Sequence, residues 1–166
     1  SLGLKLDILF IDDNSPDGTG KLLDKMSNNS DQIFVKHFDK RYGIGNAHRT
    51  GIRWAYENNY EILITMDSDF THDPLDILRL FESANNSDVV VGSRFKELDK
   101  TSLSLLRKFL SKLANFSTKL LLDMPYDSTN AYRLYNLKNI PCEFLENIRS
   151  NGYSFLFESL FVLNFN

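Results

Sequence analysis

Short apolar runs rich in isoleucine, valine and phenylalanine alternate along the chain with segments that have the spacing of a helix. Each run has the length and composition typical of a β-strand. The runs are Leu6–Ile11, Ile33–Lys36, Ile62–Met66 and Val89–Val91. Between them, large apolar residues recur at helical spacing, which predicts helices around Leu22–Met26, Ala47–Ala55 and Leu75–Phe81.

The repeated order of strand, helix and strand predicts an α/β fold. Parallel strands need crossover connections, and the helices in those connections cover both faces of the sheet. The expected architecture is therefore a Rossmann-like, mostly parallel sheet with helices on both faces. Ligands of such sheets bind beyond the carboxyl ends of the strands, so the residues that follow each strand are the first candidates for function.

The second half of the chain has a different pattern. Residues Ser102–Leu122 place leucines and phenylalanines at helical spacing with basic residues between them, which predicts one long helix. The stretch DSTNAYRLYN has extended character, and two shorter helices are expected around Cys142–Ile148 and Tyr153–Phe165. The sequence has no internal repeat or long linker, so residues 1–166 are expected to form a single domain.

Charge and cysteine content narrow the classes of partner and compartment. The net charge is -3 with both signs mixed along the chain, which does not fit a nucleic-acid-binding surface. The only cysteine, Cys142, cannot form an internal disulfide, and no apolar run approaches the roughly 18 residues of a membrane span. We therefore expect a cytoplasmic protein with no nucleic-acid partner.

Two aspartates one residue apart, Asp67 and Asp69, follow the third apolar run in the stretch ITMDSDFTHDP. On an extended chain both side chains point the same way, and two carboxylates about 5 Å apart repel by about 3 kcal/mol at an effective dielectric of about 20. A divalent cation that bridges them to a diphosphate would relieve this repulsion. The competing interpretation is that Asp69 or Thr71 caps a helix beginning near Pro74, and that the pair is coincidental.

The same letters permit a different chemistry. A strand followed by D-x-D-x-T resembles the first motif of haloacid dehalogenase-like phosphatases, in which the first aspartate, here Asp67, is the nucleophile. That family needs a further acidic pair downstream at a strand end. The other acidic pair of this chain, Asp12 and Asp13, lies upstream instead. The phosphatase is therefore kept as an alternative.

The stretch IDDNSPDGTG follows the first predicted strand. Ser15 is expected to cap a helix with Pro16 in its first turn, because proline suits the first helical position. Capping does not account for the doubled Asp12 and Asp13. An acid at this edge of a sheet can accept a hydrogen bond from a base or a ribose, so a nucleotide-binding role is open beside the structural one.

A glycine-rich segment, RYGIGNAHRTG, follows the second predicted strand. It is not a dinucleotide-binding fingerprint, because His48 stands where the third glycine is required. We expect a tight loop and close helix packing, with His48 and Arg49 as solvated helix residues. His37 and His72 have no second histidine or cysteine at ligand spacing, which argues against zinc.

Basic residues follow the fourth predicted strand. Arg94, in VGSRF, is expected at the same edge as the aspartates, where a guanidinium could bind a phosphate or balance the carboxylates. Arg107 and Ser111 are four residues apart and share one face of the long predicted helix. They could bind another phosphate or could be plain surface residues.

In this order, the motifs resemble the dolichyl-phosphate mannosyltransferase-like group of the inverting glycosyltransferases with the GT-A nucleotide-sugar-binding fold. The resemblance rests on the blocks LFIDDNSPDGTG, YGIGNAHRTGIRWA, ITMDSDFTHDP, VVVGSRF, LLRKFLSKLAN, DSTNAYRLYN and NGYSFLFESL, which run from Leu9 to Leu160. Members of the group usually begin one strand earlier and continue further. The resemblance thus implies a chain shortened at both ends.

The resemblance implies an enzyme that moves a hexose, usually mannose from GDP-mannose, onto a polyprenyl (dolichyl) phosphate with inversion, using Mg²⁺ or Mn²⁺. Carried over by motif, Ile11 and Asp13 would line the nucleotide-sugar site. Asp67, Ser68 and Asp69 would hold the diphosphate, with the two aspartates as metal ligands. A non-catalytic nucleotide-sugar-binding relative is a further alternative.

On the acceptor side, the resemblance implies that Arg94, Arg107 and Ser111 bind the lipid phosphate, with Arg94 also reaching the donor. Asp127 and Glu158 match acidic positions near the sugar. The long basic helix could rest on an anionic membrane surface, as a peripheral contact, or could pack in the core with a wet outer face. The candidate catalytic residues are Asp67, Asp69, Arg94 and Asp127.

Overall fold

The computed structural model describes residues 6–92 and 126–165. The strands are β1 (Ile8–Asp12), β2 (Ile33–His37), β3 (Ile62–Thr65), β4 (Val89–Val91) and β5 (Arg133–Asn136). The predicted strands are thereby confirmed to within a few residues. The expectations for Arg94, Arg107, Ser111 and the long helix Ser102–Leu122 lie outside the described ranges.

Helices connect or follow these strands. They are α1 (Thr19–Ser27), α2 (Ile44–Glu57), α3 (Ile77–Ser83), α4 (Cys142–Glu146) and α5 (Ser154–Asn164), with short 3-10 turns at Pro74–Asp76 and Ala84–Asn86. Each matches a helix that the apolar spacing predicts. Within the described ranges, no helix combines the length and the apolar composition needed to cross a bilayer.

The described strands form two sheets, not the single mostly parallel sheet that was expected, and β5 joins β3 to β4 in one of them. β1 and β2 pair in parallel, with Ile8 opposite Ile33, whereas β5 lies between β3 and β4 and is antiparallel to both. β3 and β4 therefore run in the same direction without pairing with each other, because β5 supplies hydrogen bonds to both. The register sets Arg133 opposite Thr65 and opposite Val91. The ends of β3 and β4 consequently meet at the start of β5.

The starts of β1 and β3 lie together at the opposite edge. Tyr60, which precedes β3, donates its hydroxyl to Asp7 Oδ2 at 2.5 Å, and Asp7 directly precedes β1. Helix α2 packs against both strands. Both strands thus run from this edge toward the one where Asp12 and Asp67 lie, as the sequence predicted.

Helices cover both faces of β5. Leu134, 0% exposed, packs with Ile77 of α3 on one face. Tyr135, also 0% exposed, packs on the other face with Ile52 of α2 and Phe155 of α5. Successive side chains of β5 point to opposite faces and therefore belong to two separate apolar clusters. This is the layered arrangement expected of an α/β fold.

The start of α1 differs from the expectation. The helix begins at Thr19, after Gly18 in a left-handed conformation (φ 90°), so Ser15 is not its cap. Asp17 Oδ1 accepts hydrogen bonds from the backbone nitrogen and the hydroxyl of Thr19 at 3.0 and 2.6 Å. Pro16 consequently lies in the turn that precedes the helix. The side-chain turn at Asp17 competes with helix formation for the residues before Thr19.

His48 and Arg49 of α2 are not the solvated residues that helical spacing suggested. The His48 ring stacks on Phe155 with centroids 5.5 Å apart, and its burial lowers the pKa of His48 to about 4. Arg49 Nη2 donates to the carbonyls of Ile148 and Ser150 at 2.8 and 3.1 Å. These acceptors lie 99 and 101 residues further along the chain, so local spacing could not reveal them.

The guanidinium of Arg133 is fully buried, and its partners among the described residues are all neutral. Nε donates to the Asn130 carbonyl at 2.6 Å, and Nη1 donates to Ser159 Oγ at 2.8 Å. Nη2 donates to the carbonyls of Ser128 and Leu156 at 2.9 and 2.7 Å. Arg133 thereby joins the segment before β5 to α5.

Replacing Arg133 with methionine should destabilise the fold strongly, because several buried carbonyls lose their donor. We expect Arg133→Met to lower the free energy of unfolding by about 3 kcal/mol or more, measured by urea denaturation. Arg79→Met is the control, since the Arg79 side chain is 82% exposed and pairs with Asp76 on the surface. That change should cost about 1 kcal/mol or less. Similar losses in both variants would contradict the assignment.

Candidate functional site

Asp12, the last residue of β1, holds neighbouring segments together. Its Oδ1 accepts a hydrogen bond from the Ser15 nitrogen at 3.1 Å, and its Oδ2 lies 3.1 Å from His37 Nδ1. The other ring nitrogen of His37 lies 2.8 Å from Asp24 Oδ1. Hydrogen bonds with Asp24 and Asp12 raise the pKa of His37, and hydrogen bonds from Ser15 and His37 lower the pKa of Asp12. Asp12 is thus a structural residue that ties β1 to β2 and α1.

Asp13 fixes the loop that leads into α2. Its Oδ1 accepts from the Tyr42 nitrogen at 2.7 Å, and its Oδ2 accepts from the Gly43 nitrogen at 2.9 Å. Gly43 has a φ of 86°, a conformation that favours glycine, which confirms the tight loop expected here. A carboxylate can accept about four hydrogen bonds, so Asp13 keeps capacity for a ligand.

A pocket lies beside this loop, at the carboxyl end of β2. It has a volume of about 430 Å³ and is lined by His37, Phe38, Asp39, Tyr42, Asn46 and Thr50. Its lining combines aromatic rings with hydrogen-bonding groups, which suits a planar polar ligand. Ile11, the other residue predicted for the nucleotide site, packs toward α2, where its Cδ1 would lie 3.4 Å from a Cβ at Gly51.

The two aspartates of the DSDFTH stretch have different environments. Asp69 Oδ1 accepts hydrogen bonds from the nitrogen and the hydroxyl of Thr71 at 3.0 and 2.6 Å, which lower the pKa of Asp69. Both hydrogen bonds are accepted by Oδ1, so Oδ2 takes no part in this turn. The half-buried Asp67 carboxylate accepts no hydrogen bond from the residues that the structure describes. Ser68, between them, is exposed.

Neither Asp69 nor Thr71 caps the helix that follows, contrary to the alternative that the sequence left open. Asp73 does so, since its Oδ1 accepts from the Leu75 nitrogen at 2.9 Å and Pro74 occupies the first helical position. The Asp69 turn instead encloses Phe70, which has a φ of 65° and is fully exposed. The aspartate pair therefore has no capping role.

The Asp67 and Asp69 carboxylates fit a hard divalent cation. Carboxylate oxygens are ligands that Mg²⁺ and Mn²⁺ prefer, and Mg²⁺ is usually bound by one or two carboxylates together with water and phosphate oxygens. Within residues 6–92 and 126–165, no three His, Cys, Asp or Glu side chains come together as a metal site. A cation bound to these two carboxylates would take its other ligands from outside the described residues, such as a bound phosphate and water.

Asp127 lies at the same edge as Asp67. It is buried, at 5% exposure, in the segment that precedes β5, and Arg133 at the start of β5 lies opposite Thr65. Its Oδ1 accepts from the nitrogen and the hydroxyl of Thr129 at 3.2 and 2.8 Å. The register of β5 thus brings the predicted residues Asp127 and Asp67 into neighbouring loops.

Glu158 of α5 holds a loop in place. Its two carboxylate oxygens accept from the backbone nitrogens of Arg149 and Ser150 at 3.0 and 2.9 Å. The next residue of this loop, Asn151, accepts from the Gly45 nitrogen at 2.9 Å, and a Cβ at Gly45 would lie 2.6 Å from the Asn151 carbonyl carbon. The close helix packing expected of the glycines is confirmed, and Glu158 supports it.

Sequence reasoning missed three polar residues of this region: His72, Asn130 and Arg133. All are buried, at 5%, 2% and 0% exposure. Asn130 and Arg133 lie in the stretch predicted to be extended, and His72 follows the DSDFT stretch, but burial of a polar side chain requires partners from distant segments.

The His37 contacts predict a pH-dependent stability. Because the folded pKa of His37 is raised, its contribution is fully present below about pH 6.5, its ordinary pKa, and is lost as the pH rises through the raised value. The free energy of unfolding should fall between about pH 6 and about pH 8.5 by more in the unmodified chain than in His37→Gln. Urea denaturation at both pH values measures this, and equal falls would contradict it.

A family model for glycosyl transferase family 2 matches residues 2–142. The match confirms the GT-A-type α/β fold class predicted from the sequence. It also removes the basis of the phosphatase interpretation of Asp67, which depended on membership of another family.

Two curated proteins are similar to most of the chain. An undecaprenyl-phosphate mannosyltransferase of Micrococcus luteus is 33% identical over 157 residues, which cover 93% of this chain and 65% of the relative. A polyprenol monophosphomannose synthase of Mycolicibacterium smegmatis is 34% identical over 152 residues, covering 89% of this chain and 57% of the relative. The chain spans less than two thirds of the length of both. These similarities confirm the resemblance drawn from the motifs, and the chain belongs to glycosyl transferase family 2.

Proposed function

We propose that the chain is part of a metal-dependent hexosyltransferase that moves mannose from GDP-mannose to a polyprenyl phosphate with inversion. The observation that carries the proposal is the contrast between Asp67 and the acids around it. Asp13, Asp69 and Asp127 accept hydrogen bonds from backbone nitrogens, whereas Asp67 accepts none from the described residues. At a ligand-binding edge, an acid to which no described residue donates a hydrogen bond is suited to a cation.

Mg²⁺ or Mn²⁺ would be held by Asp67 and by Oδ2 of Asp69. A bound cation of this kind neutralises negative charge that develops on a departing diphosphate. Thr71 fixes the Asp69 side chain through two hydrogen bonds, so little conformational freedom remains to be lost when a ligand binds. Ser68 lies between the two aspartates and is exposed, so a diphosphate bound there would contact it.

The nucleotide would lie along the loops after β1 and β2. Asp13 retains capacity to accept a hydrogen bond from the base or the ribose, and the pocket between Phe38 and Asn46 has room for a ring system. Ile11 packs behind this region against α2. We propose GDP as the nucleotide because the names of the two relatives refer to mannose, and the donor that the motif resemblance implies is GDP-mannose.

The acceptor would be a polyprenyl phosphate, as the names of the relatives describe. A phosphate monoester is already an anion near neutral pH, so it needs orientation more than a catalytic base. Arg94, Arg107 and Ser111 are proposed to supply that orientation on the strength of the motifs. Because polyprenyl phosphates reside in membranes, we place the site at a membrane surface, reached from the cytoplasmic side.

Removing the Asp67 charge should abolish metal-dependent donor binding. We expect titration calorimetry to show that GDP-mannose and GDP bind with Mn²⁺ and bind at least about tenfold more weakly without it. Asp67→Asn should lose this Mn²⁺ dependence together with transfer of mannose to a polyprenyl phosphate. The control is Asp31→Asn, which changes an exposed acid in a turn before β2 and should behave as the unmodified chain does.

Other outcomes would change the proposal in defined ways. Mn²⁺-dependent binding of GDP-mannose without transfer would indicate a non-catalytic nucleotide-sugar-binding relative. Tighter binding of UDP than of GDP would contradict the proposed donor. Donor binding that is identical with and without Mn²⁺ would contradict the role of the aspartate pair, and hydrolysis of a simple phosphate ester that Asp67→Asn abolishes would restore the phosphatase.

A further inference from the structure

His72 is a buried residue that holds the backbone of Asp67. Its Nδ1 accepts a hydrogen bond from the Asp67 nitrogen at 2.9 Å, and its Nε2 lies 3.0 Å from Asn130 Oδ1. A backbone nitrogen can only donate, so Nδ1 carries no proton and the ring proton is on Nε2. His72 therefore donates to Asn130, and the tautomer is determined by the contacts on both sides.

Asn130 extends the connection to the end of β4. Its Nδ2 donates to the Gly92 carbonyl at 2.6 Å, and its Oδ1 accepts from the Tyr132 nitrogen at 3.1 Å as well as from His72. The Tyr132 nitrogen can only donate, so the Asn130 atom that it contacts must be Oδ1 and the atom facing Gly92 must be Nδ2. A Cβ at Gly92 would lie 3.2 Å from the Tyr132 carbonyl, so the two segments are closely packed.

Tyr132 holds the far end of the same loop. Its ring stacks on His72 with centroids 4.8 Å apart, and its hydroxyl donates to the Asp73 carbonyl at 2.9 Å. The segment from Asp67 to Asp73 is therefore fixed at both ends by side chains that meet at the start of β5. Phe70 and the Asp69 turn project from this fixed base.

We propose that His72 and Asn130 are positioning residues that tie the backbone of Asp67, in the loop after β3, to Gly92 at the end of β4 through one continuous path. Hydrogen bonds run from Asp67 to His72, from His72 to Asn130 and from Asn130 to Gly92. Asp67 is the proposed cation ligand, and Gly92 precedes the proposed acceptor residue Arg94 by two positions. The inference rests on the proposed function for the roles of these two ends.

Both ring nitrogens of His72 and both ends of the Asn130 amide have partners in this path. The imidazole accepts once and donates once, and buried hydrogen bonds of this kind are strong because unpaired groups are costly. A shift of Gly92 must therefore be followed by Asn130, His72 and the Asp67 backbone, or a buried polar group loses its partner. The two substrates would then bind to one preorganised unit.

The tautomer gives a test that needs no substrate. Long-range proton–nitrogen NMR spectra of the chain should show the His72 ring as neutral with its proton on Nε2. The Asp67 amide should shift in His72→Phe, which keeps an aromatic ring to stack on Tyr132 but has no nitrogen. A proton on Nδ1, or an Asp67 amide unchanged in His72→Phe, would overturn the proposal.

Kinetic measurements then test the coupling. Asn130→Asp keeps acceptor oxygens for His72 and Tyr132, and in its ionised form it cannot donate to the Gly92 carbonyl. We expect it to raise KM for a polyprenyl phosphate by about tenfold while the Kd for GDP with Mn²⁺ stays within about threefold. His72→Asn keeps an acceptor beside Asp67 and loses the reach to Asn130, so it should raise the same KM and retain donor binding better than His72→Phe.

The double variant separates a shared path from two independent defects. Because both residues act through one path, His72→Phe combined with Asn130→Asp should be about as impaired as the worse single variant, rather than the product of both. Tyr56→Phe is the control for stability alone, since it removes a 2.6 Å hydrogen bond to the Ile140 carbonyl away from the site. Multiplied kinetic effects, or variants that lose only thermal stability as Tyr56→Phe does, would overturn the proposal.

Failure of the proposed function is distinguishable from failure of this inference. A chain that transfers no mannose but shows the Nε2 proton, with the Asp67 amide displaced in His72→Phe, would refute the transferase and leave the hydrogen-bonded path. A chain that transfers mannose normally in His72→Phe and Asn130→Asp would refute the path alone.

Discussion

Backbone N–H groups in the loops beyond the strands must be hydrogen-bonded, and in this protein acidic side chains accept many of those bonds. Asp13 and Glu158 each accept from two consecutive backbone nitrogens, and Asp69 and Asp127 each accept from a threonine two residues further on. Orphaned amides would otherwise cost free energy wherever water cannot reach them. The acidic character of this edge is therefore largely a structural requirement.

Asp67 differs from these structural acids. Its carboxylate accepts no hydrogen bond from the described residues, while its backbone nitrogen donates to His72. The main chain at Asp67 is thus fixed by a buried side chain. The antiparallel strand β5 makes this arrangement possible, because Asn130 and Arg133 at its start bring the ends of β3 and β4 together.

Apolar periodicity was sufficient to predict the strands and helices, since each of them buries one face or both. It did not predict where helices begin. Asp17 and Asp69 belong to Asp-x-Thr turns, and Asp127 begins a third, a repeated local pattern that was readable in the sequence. The contacts of Arg49 and the burial of Arg133 could not be predicted. Their partners come from segments distant in the chain or are backbone carbonyls, which every residue type has.

The aspartate pair was visible in the sequence because an extended chain at that spacing would place two like charges on one side, which calls for a counter-charge. In the structure β3 ends at Thr65, and the two aspartates lie in the irregular segment that follows it. The account depends on that counter-charge being a cation. Anomalous diffraction from crystals of the chain grown with Mn²⁺ and GDP tests this most directly. We predict an anomalous peak contacted by the carboxylates of Asp67 and Asp69 and by the GDP phosphates. GDP bound without such a peak, or a peak held by other acids, would contradict the account.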